Sequence, residues 1–388
     1  MRTKRLESGF SLIELMIAVA IGLVVTLAAT GILIRSESGK RTTVSTNDIN
    51  QTGAYLSYTL DRALRSAGSG YTQKWAQAFG CALHAQHSGT TMLPRPSAWP
   101  APFASLPVNP VLAPVVIYAG ASQAGSDVLA VMTGNAGFGE APPTVTPGSV
   151  TASSLNMRNT LGMRGDDLVL VYDDSGSGSG LPGCVLQQVQ TGFVGSTAQT
   201  LPFAGAYAAG TVDGVDMTTL GLGSQTFAID IGNVSAANTP QFQFVGVGAN
   251  NTLSSYDLLQ LGAGDTAQPL AEGVVEMRAL YGVDTNDDGS IDTWEDPAVS
   301  PWTAAELTDG STGARTNLRR ILAVRVGLVL RSQLIERDIV APSTLTLFGD
   351  LPAAVQRTVN ISTADQHSRY RTVEVTVPLR NLLLLPIT

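Results

Sequence analysis

The sequence predicts an α+β fold: one long N-terminal helix followed by a globular body built on antiparallel β-sheet. Three observations carry this expectation. Residues 10–34 form an apolar run with a single charge, Glu14. Residues 35–67 continue without a proline and keep apolar residues at three- and four-residue spacing. Beyond Tyr71 the texture changes to short, often alternating segments separated by Gly, Asn, Asp and Ser. A helix followed by a run of strands suits a segregated α+β body better than alternating βα units.

Residues 1–9 are short and basic, with Arg2, Lys4 and Arg5 against Glu7. The apolar run that follows would reach roughly 38 Å as a helix, enough to cross a ~30 Å hydrocarbon core. A basic leader before it and an acidic body after it predict an N-in, body-out orientation. An ordinary secretory signal has a shorter apolar region and no early carboxylate. A plain membrane anchor leaves Glu14 as an unexplained cost of about 2.5–3.5 kcal/mol at depth, less near the helix start. Position alone therefore leaves that alternative open. Ala18 and Gly22 are a small-xxx-small pair that allows close helix contact, and they equally fit ordinary span composition.

Ile49, Tyr55, Leu56, Leu60, Ala63 and Leu64 extend the helical pattern, and residues 67–70 supply a stop. A helix over 10–67 would be roughly 87 Å long. Its middle, 36–50, is rich in Ser and Thr, so a bend or local melting is expected there as an option. Gly39, Lys40, Arg41 and Thr42 lack the leading glycine of a phosphate loop and sit on the helix, which removes that reading. In the body, 85–114 reads as proline-rich loop. Strands are expected at 128–132, 168–172, 185–189, 227–231, 241–245, 256–261, 274–281, 322–331 and 371–379. Residues 176–180 (GSGSG) read as a flexible tip.

Only 14% of residues are charged, and the net charge is −8. Loss of residues 1–9 removes three positive and one negative charge, leaving about −10. An acidic body without a basic stripe argues against a nucleic-acid partner. Two cysteines exclude a disulfide-rich scaffold. In an oxidising compartment Cys81 and Cys184 are a candidate bridge, although sequence spacing leaves their separation in space open.

One internal motif carries its own chemistry. Asp284, Asn286, Asp288, Ser290, Asp292 and Glu295 fit the ligand positions of a twelve-residue Ca²⁺ loop, with Gly289 at the sharp turn. The alternative is an acidic turn between strands. The expected strand before it and Pro297 after it depart from a helix–loop–helix sensor. A weak structural site (~10⁻⁴–10⁻³ M) is the form that fits. Catalysis has little support: His84, His87 and His367 are the only histidines, and no nucleophile or metalloprotease motif occurs. His84 and His87 read as solvated polar residues near a loop, or else as metal ligands sharing a helix face. Asp166, Asp167, Asp173 and Asp174 read as strand-end caps or solvated turns.

Gly9, Phe10, Ser11, Leu12, Ile13 and Glu14, after a short basic leader, resemble the processing signal of type IV prepilins and type II secretion pseudopilins. The resemblance implies cleavage after Gly9 by a prepilin peptidase and N-methylation of Phe10. It also implies that Glu14 neutralises the N-terminal amine of a neighbouring subunit. The physics agrees: a carboxylate in an apolar bundle is tolerated when paired, and cleavage creates a cation at that depth.

Further segments resemble PilW-like minor pilins in the same order. They are residues 62–68 with Phe79, Gly80 and Cys81, then 270–276, 281–284, 323–326, 371–373 and 377–381. The likeness is patchy across 85–255, which reads as insertions in a body spanning 71–388. The resemblance implies a structural subunit that helps initiate a type IV pilus and sits at its tip. Its implied partners are other minor pilins, the major pilin and a tip adhesin. It implies residence first in the bacterial inner membrane, body in the periplasm, and then on the cell surface. A type II secretion pseudopilin or an adhesive, surface-binding pilin are the alternatives.

Overall fold

The apolar run and its polar continuation form one helix, α1 (Leu12–Ser66), capped by Ser11. The computed structural model describes residues 11–136, 143–173, 183–221, 225–234, 238–259 and 265–385. Gly9, Phe10 and the 176–180 segment lie outside the described residues. The Ser/Thr-rich middle of α1 does not melt: it is helical throughout. Its hydroxyls are satisfied inside the helix, with Thr43 donating to the Gly39 carbonyl (3.0 Å) and Thr46 to that of Thr42 (2.9 Å). The helix stops where Gly68 takes a φ of +78°, a conformation that a Cβ disfavours and that here would also push a Cβ against Thr72 and Pro114.

The principal strands follow in chain order: β1 (Ala82–His87), β2 (Thr90–Leu93), β3 (Val115–Tyr118), β4 (Val128–Thr133), β5 (Asp167–Asp173), β6 (Gly183–Gln188), β7 (Thr226–Asn233) and β8 (Gln241–Val247). Then come β9 (Thr252–Asp257), β10 (Gln268–Glu272), β11 (Val274–Val283), β12 (Thr293–Glu295), β13 (Ile321–Ile335), β14 (Thr344–Leu347), β15 (Arg357–Asn360) and β16 (Ser368–Pro378). Among the described residues these strands form three larger sheets, ordered β7-β5-β6-β1-β2, β10-β9-β8-β4-β3 and β12-β11-β13-β16, with β14 and β15 paired separately. All their pairs are antiparallel except β1 with β6, which run parallel from Ala82↔Gly183. The expected loop from residue 85 opens instead with the β1–β2 hairpin. The strand expected at 256–261 lies earlier, because Asn250 and Asn251, both at positive φ, make the turn that starts β9.

The C-terminal half of α1 lies on β13 and β16, with β10 at its flank. Its buried positions are Ser45, Ile49, Gly53, Leu56, Leu60, Leu64 and Ala67, three or four residues apart, the spacing of one helix face. Tyr55, expected in this stripe, is instead exposed. Gly53 sets the approach distance, since a Cβ there would stand 2.9 Å from Val373 Cγ2 and 3.2 Å from Leu330 Cδ1. Asn381 closes the end of the helix by donating its amide to the carbonyls of Ser66 (3.1 Å) and Ala67 (2.9 Å). Arg371 of β16 also donates to Asn50 of α1.

The hairpin β14–β15 covers the far face of this sheet, where Leu280, Val329, Leu347 and Phe348 form a separate core. A buried carboxylate ties the second and third sheets. Asp127 accepts the amides of Gly120 and Ala279, both at 2.9 Å, and pairs with Arg278 at 3.1 Å. In the same seam the Tyr281 hydroxyl accepts the Ile117 amide (2.5 Å). The first sheet carries one further core on its outer face, around Val169, Val171, Val185 and Ala228.

Filling the Gly53 contact should cost about 1–3 kcal/mol through overpacking. Gly53→Leu is expected to lower the melting temperature of the detergent-solubilised chain. Gly22→Leu, where nothing stands within 4 Å of a Cβ, is expected to leave it unchanged. Equal melting of the two variants would contradict this packing.

Candidate assembly interface

Residues Leu12–Leu33 are predominantly apolar, long enough as a helix to cross a membrane, and unburied within the chain. Thirteen large apolar side chains of this segment, from Leu12 to Leu33, are exposed. At about 1.5–3 kcal/mol per buried side chain, the unrealised burial exceeds the whole net stability of an ordinary domain, about 5–15 kcal/mol. This surface needs lipid or partner helices. At its start Ser11 and Glu14 cap the helix: the Ser11 hydroxyl accepts the Ile13 amide (3.2 Å), and Glu14 Oε2 accepts the Ser11 amide (3.0 Å). The Glu14 carboxylate thus sits at the positive end of α1, on its exposed apolar half.

The Asp284–Glu295 loop joins β11 to β12. Asp284 is buried; its two carboxylate oxygens accept the amides of Asp288 (3.2 Å) and Gly289 (2.7 Å). Asn286 Oδ1 accepts the Asp288 amide (3.0 Å), and Asp288 Oδ1 accepts that of Ser290 (2.8 Å). Thr285 donates its amide and hydroxyl to Asp292, holding that carboxyl below its usual range. Glu295 accepts the Thr293 hydroxyl (2.8 Å). Asp287, at positive φ, is clamped by Arg320 (2.6 Å) and Arg319 (2.9 Å), with the Arg320 hydrogen bond chiefly lowering its pKa. Every ligand position carries an oxygen donor, the type that Ca²⁺ takes. Among the described residues, however, no three His, Cys, Asp or Glu side chains stand together as a metal group.

Cys81 and Cys184 form a disulfide with their Cα atoms 5.7 Å apart, fastening the start of β1 to β6. His84 and His87 both lie on β1 rather than on a helix, with an irregularity of the strand between Ala85 and Gln86 separating them. His84 is largely covered, and burial lowers its pKa against the opposing charge of Asp213, 3.7 Å away. His87 instead packs edge-on against Tyr207. Asp166 accepts from Gln188 and Thr191, while Asp167 is buried rather than solvated and accepts from Asn233 (2.7 Å). These groups form no catalytic constellation with one another.

Comparison with known families fits this division of the molecule. The prokaryotic N-terminal methylation motif matches residues 4–30. The family described as type IV pilus-assembly protein W matches residues 242–381. The chain is thus similar to PilW over residues 242–381 and carries the prepilin-type methylation motif at its N-terminus. No curated protein and no solved structure matches it. The PilW-matched region contains all four strands of the sheet that carries α1, and it ends on Asn381, the residue that closes the helix terminus. Gly53 and Asn381 were the interface residues without an assigned role in the sequence. An isolated glycine in a polar helical stretch, facing the buried side of the stripe, was the signal for the first.

Burial pushes the Asp230 carboxyl up to about 7, and the nearby Asp167 charge adds to this. An unfolded aspartate titrates near 4. The folded chain therefore holds this proton more tightly, a contribution fully present below about pH 4 and lost as pH rises through about 7. The melting temperature is expected to fall from pH 5 to pH 8, and Asp230→Asn is expected to flatten that fall. An unchanged slope in the variant would place the pH dependence elsewhere.

Proposed function

We propose that this chain is a minor pilin that helps initiate a type IV pilus and sits at its tip, as a structural and non-catalytic subunit. The observation that carries this reading is the split of α1. Its second half is held by the PilW-matched sheet, while its first half presents apolar surface that only other helices or lipid can cover. The sequence of events follows from the prepilin resemblance. A prepilin peptidase cuts after Gly9, Phe10 is methylated, and Glu14 meets the amine of a neighbouring pilin, major or minor. The body waits in the periplasm on an inner-membrane anchor before reaching the cell surface, where a tip adhesin is its further partner. The body is far larger than filament packing through one helix requires, which favours a terminal position over a repeating one.

A surface-binding role is the second reading. The outer core of the first sheet, around Val169 and Val185, lies outside the PilW match and is available for variation without disturbing the helix platform. A type II secretion pseudopilin shares the N-terminal features, and co-purifying subunits separate it from a pilus component. Deletion of the gene, complemented with wild type or with Glu14→Ala, tests the assembly role. The deletion is expected to abolish pili. The variant, processed normally, is expected to fail to restore them, because an unpaired buried amine costs about 3–5 kcal/mol. Normal pili with lost attachment in the deletion would favour surface binding. Normal incorporation of the variant would refute the Glu14 pairing.

We also propose Ca²⁺ as a structural ion of the 284–295 loop, supported by the all-oxygen donor set and by the Arg319 and Arg320 clamp on Asp287. Its chemistry there is charge neutralisation of Asp284, Asp288, Asp292 and Glu295. Titration calorimetry of the solubilised chain is expected to show Ca²⁺ uptake that the Asp284→Ala, Glu295→Ala double variant loses. Identical flat isotherms would end the idea.

A further inference from the structure

The body reaches down α1 to the very end of the apolar span. Leu33, the last residue of that span, lines one groove of about 640 Å³ with Glu37, Arg41 and Thr42 of α1 and with residues 334–338 of the body. At that level the body presents Ile335, 77% exposed, and Ile339, 58% exposed. This exposure is built in rather than the result of a loose loop. The Glu336 amide donates to the His367 carbonyl (2.7 Å), and the amides of Val340 and Ala341 donate to that of Gln366 (2.9 and 3.1 Å). His367 Nδ1 lies 3.1 Å from the carbonyls of both Glu336 and Asp338, holding the turn from within.

We propose that this lip, Ile335 and Ile339 with Arg337 between them, seats in the headgroup region of the bilayer while the subunit is membrane-anchored. The lip stands beside the last residue of the span, so it meets the membrane surface whether or not other subunits are present. Apolar side chains with flanking cations are the composition that such an interface favours. The local charges agree. Glu37 is paired with Arg41 and Glu336 with Arg369. The side chains of Lys40 and Arg337 make no ion pair or hydrogen bond among the described residues, and their aliphatic stems let the charged heads reach phosphates. Asp338 is the one carboxylate of the lip without an ion pair there, and it sits on the exposed side of the turn.

The proposal rests on residues 12–33 spanning the membrane, and the experiment separates the two. Single cysteines at Val24, Leu33, Ile335, Ile339 and Val194 are labelled with an environment-sensitive fluorophore; the native cysteines are buried in their disulfide. The full chain is placed in phosphatidylethanolamine–phosphatidylglycerol vesicles carrying a spin-label quencher on the lipid, either near the headgroup or, in a separate preparation, at the middle of the acyl chain. Quenching at Ile335 and Ile339 is expected to match that at Leu33, with Val194, equally exposed but outside the groove, unquenched. Quenching at Val24 and Leu33 without quenching at Ile335 and Ile339 keeps the span and overturns the lip, leaving a neighbouring subunit as its occupant. No quenching at Val24 by the mid-chain quencher overturns both.

Discussion

The molecule depends on how one helix is divided. From Ser45 to Ala67, α1 buries a single face against β13 and β16, at a closeness that Gly53 permits and with its last carbonyls taken by Asn381. From Leu12 to Leu33 the same helix buries nothing within the chain. Because α1 is continuous, the docked half fixes the direction in which the free half leaves the body. The body is thereby a rigid handle on an apolar rod, and anything that loosens the dock also loosens the presentation of the rod.

The rest of the body supports that handle. The sheet under α1 is packed on its other face by the β14–β15 hairpin and is tied to the second sheet through Asp127, Arg278 and Tyr281. The first sheet stands further from the dock and is fastened internally by Cys81–Cys184, which closes a loop of about one hundred residues and constrains the unfolded chain accordingly. The match to PilW covers the sheet under α1 and stops short of the first sheet.

Much of this was legible in the sequence where one physical signal dominated. The apolar run with one early carboxylate, and the spacing of Ile49, Leu56, Leu60 and Leu64, led directly to α1. Long β-branched strands such as β5, β7 and β13 were visible for the same reason. What escaped was set by tertiary context. The β1–β2 hairpin hides beside a proline-rich stretch, and its parallel pairing with β6 depends on a contact a hundred residues away. Tyr55 fell off the buried stripe because Gly53 occupies that face. Asp167 looked like a turn residue, yet its burial is set by Asn233 on β7. The oxygen pattern at 284–295 was plain, while its convergence on an ion is a property of side-chain geometry that spacing does not determine.

The central claim is that one half of α1 is satisfied within the chain, while the other half is covered only from outside it, in the proposed filament by the helices of neighbouring subunits. Photo-crosslinking in piliated cells tests it directly, with the crosslinker placed at Ile17 or at Leu56. The account predicts adducts to other pilin subunits from Ile17 and only internal products from Leu56. Intermolecular adducts from Leu56, or none from Ile17, would contradict it.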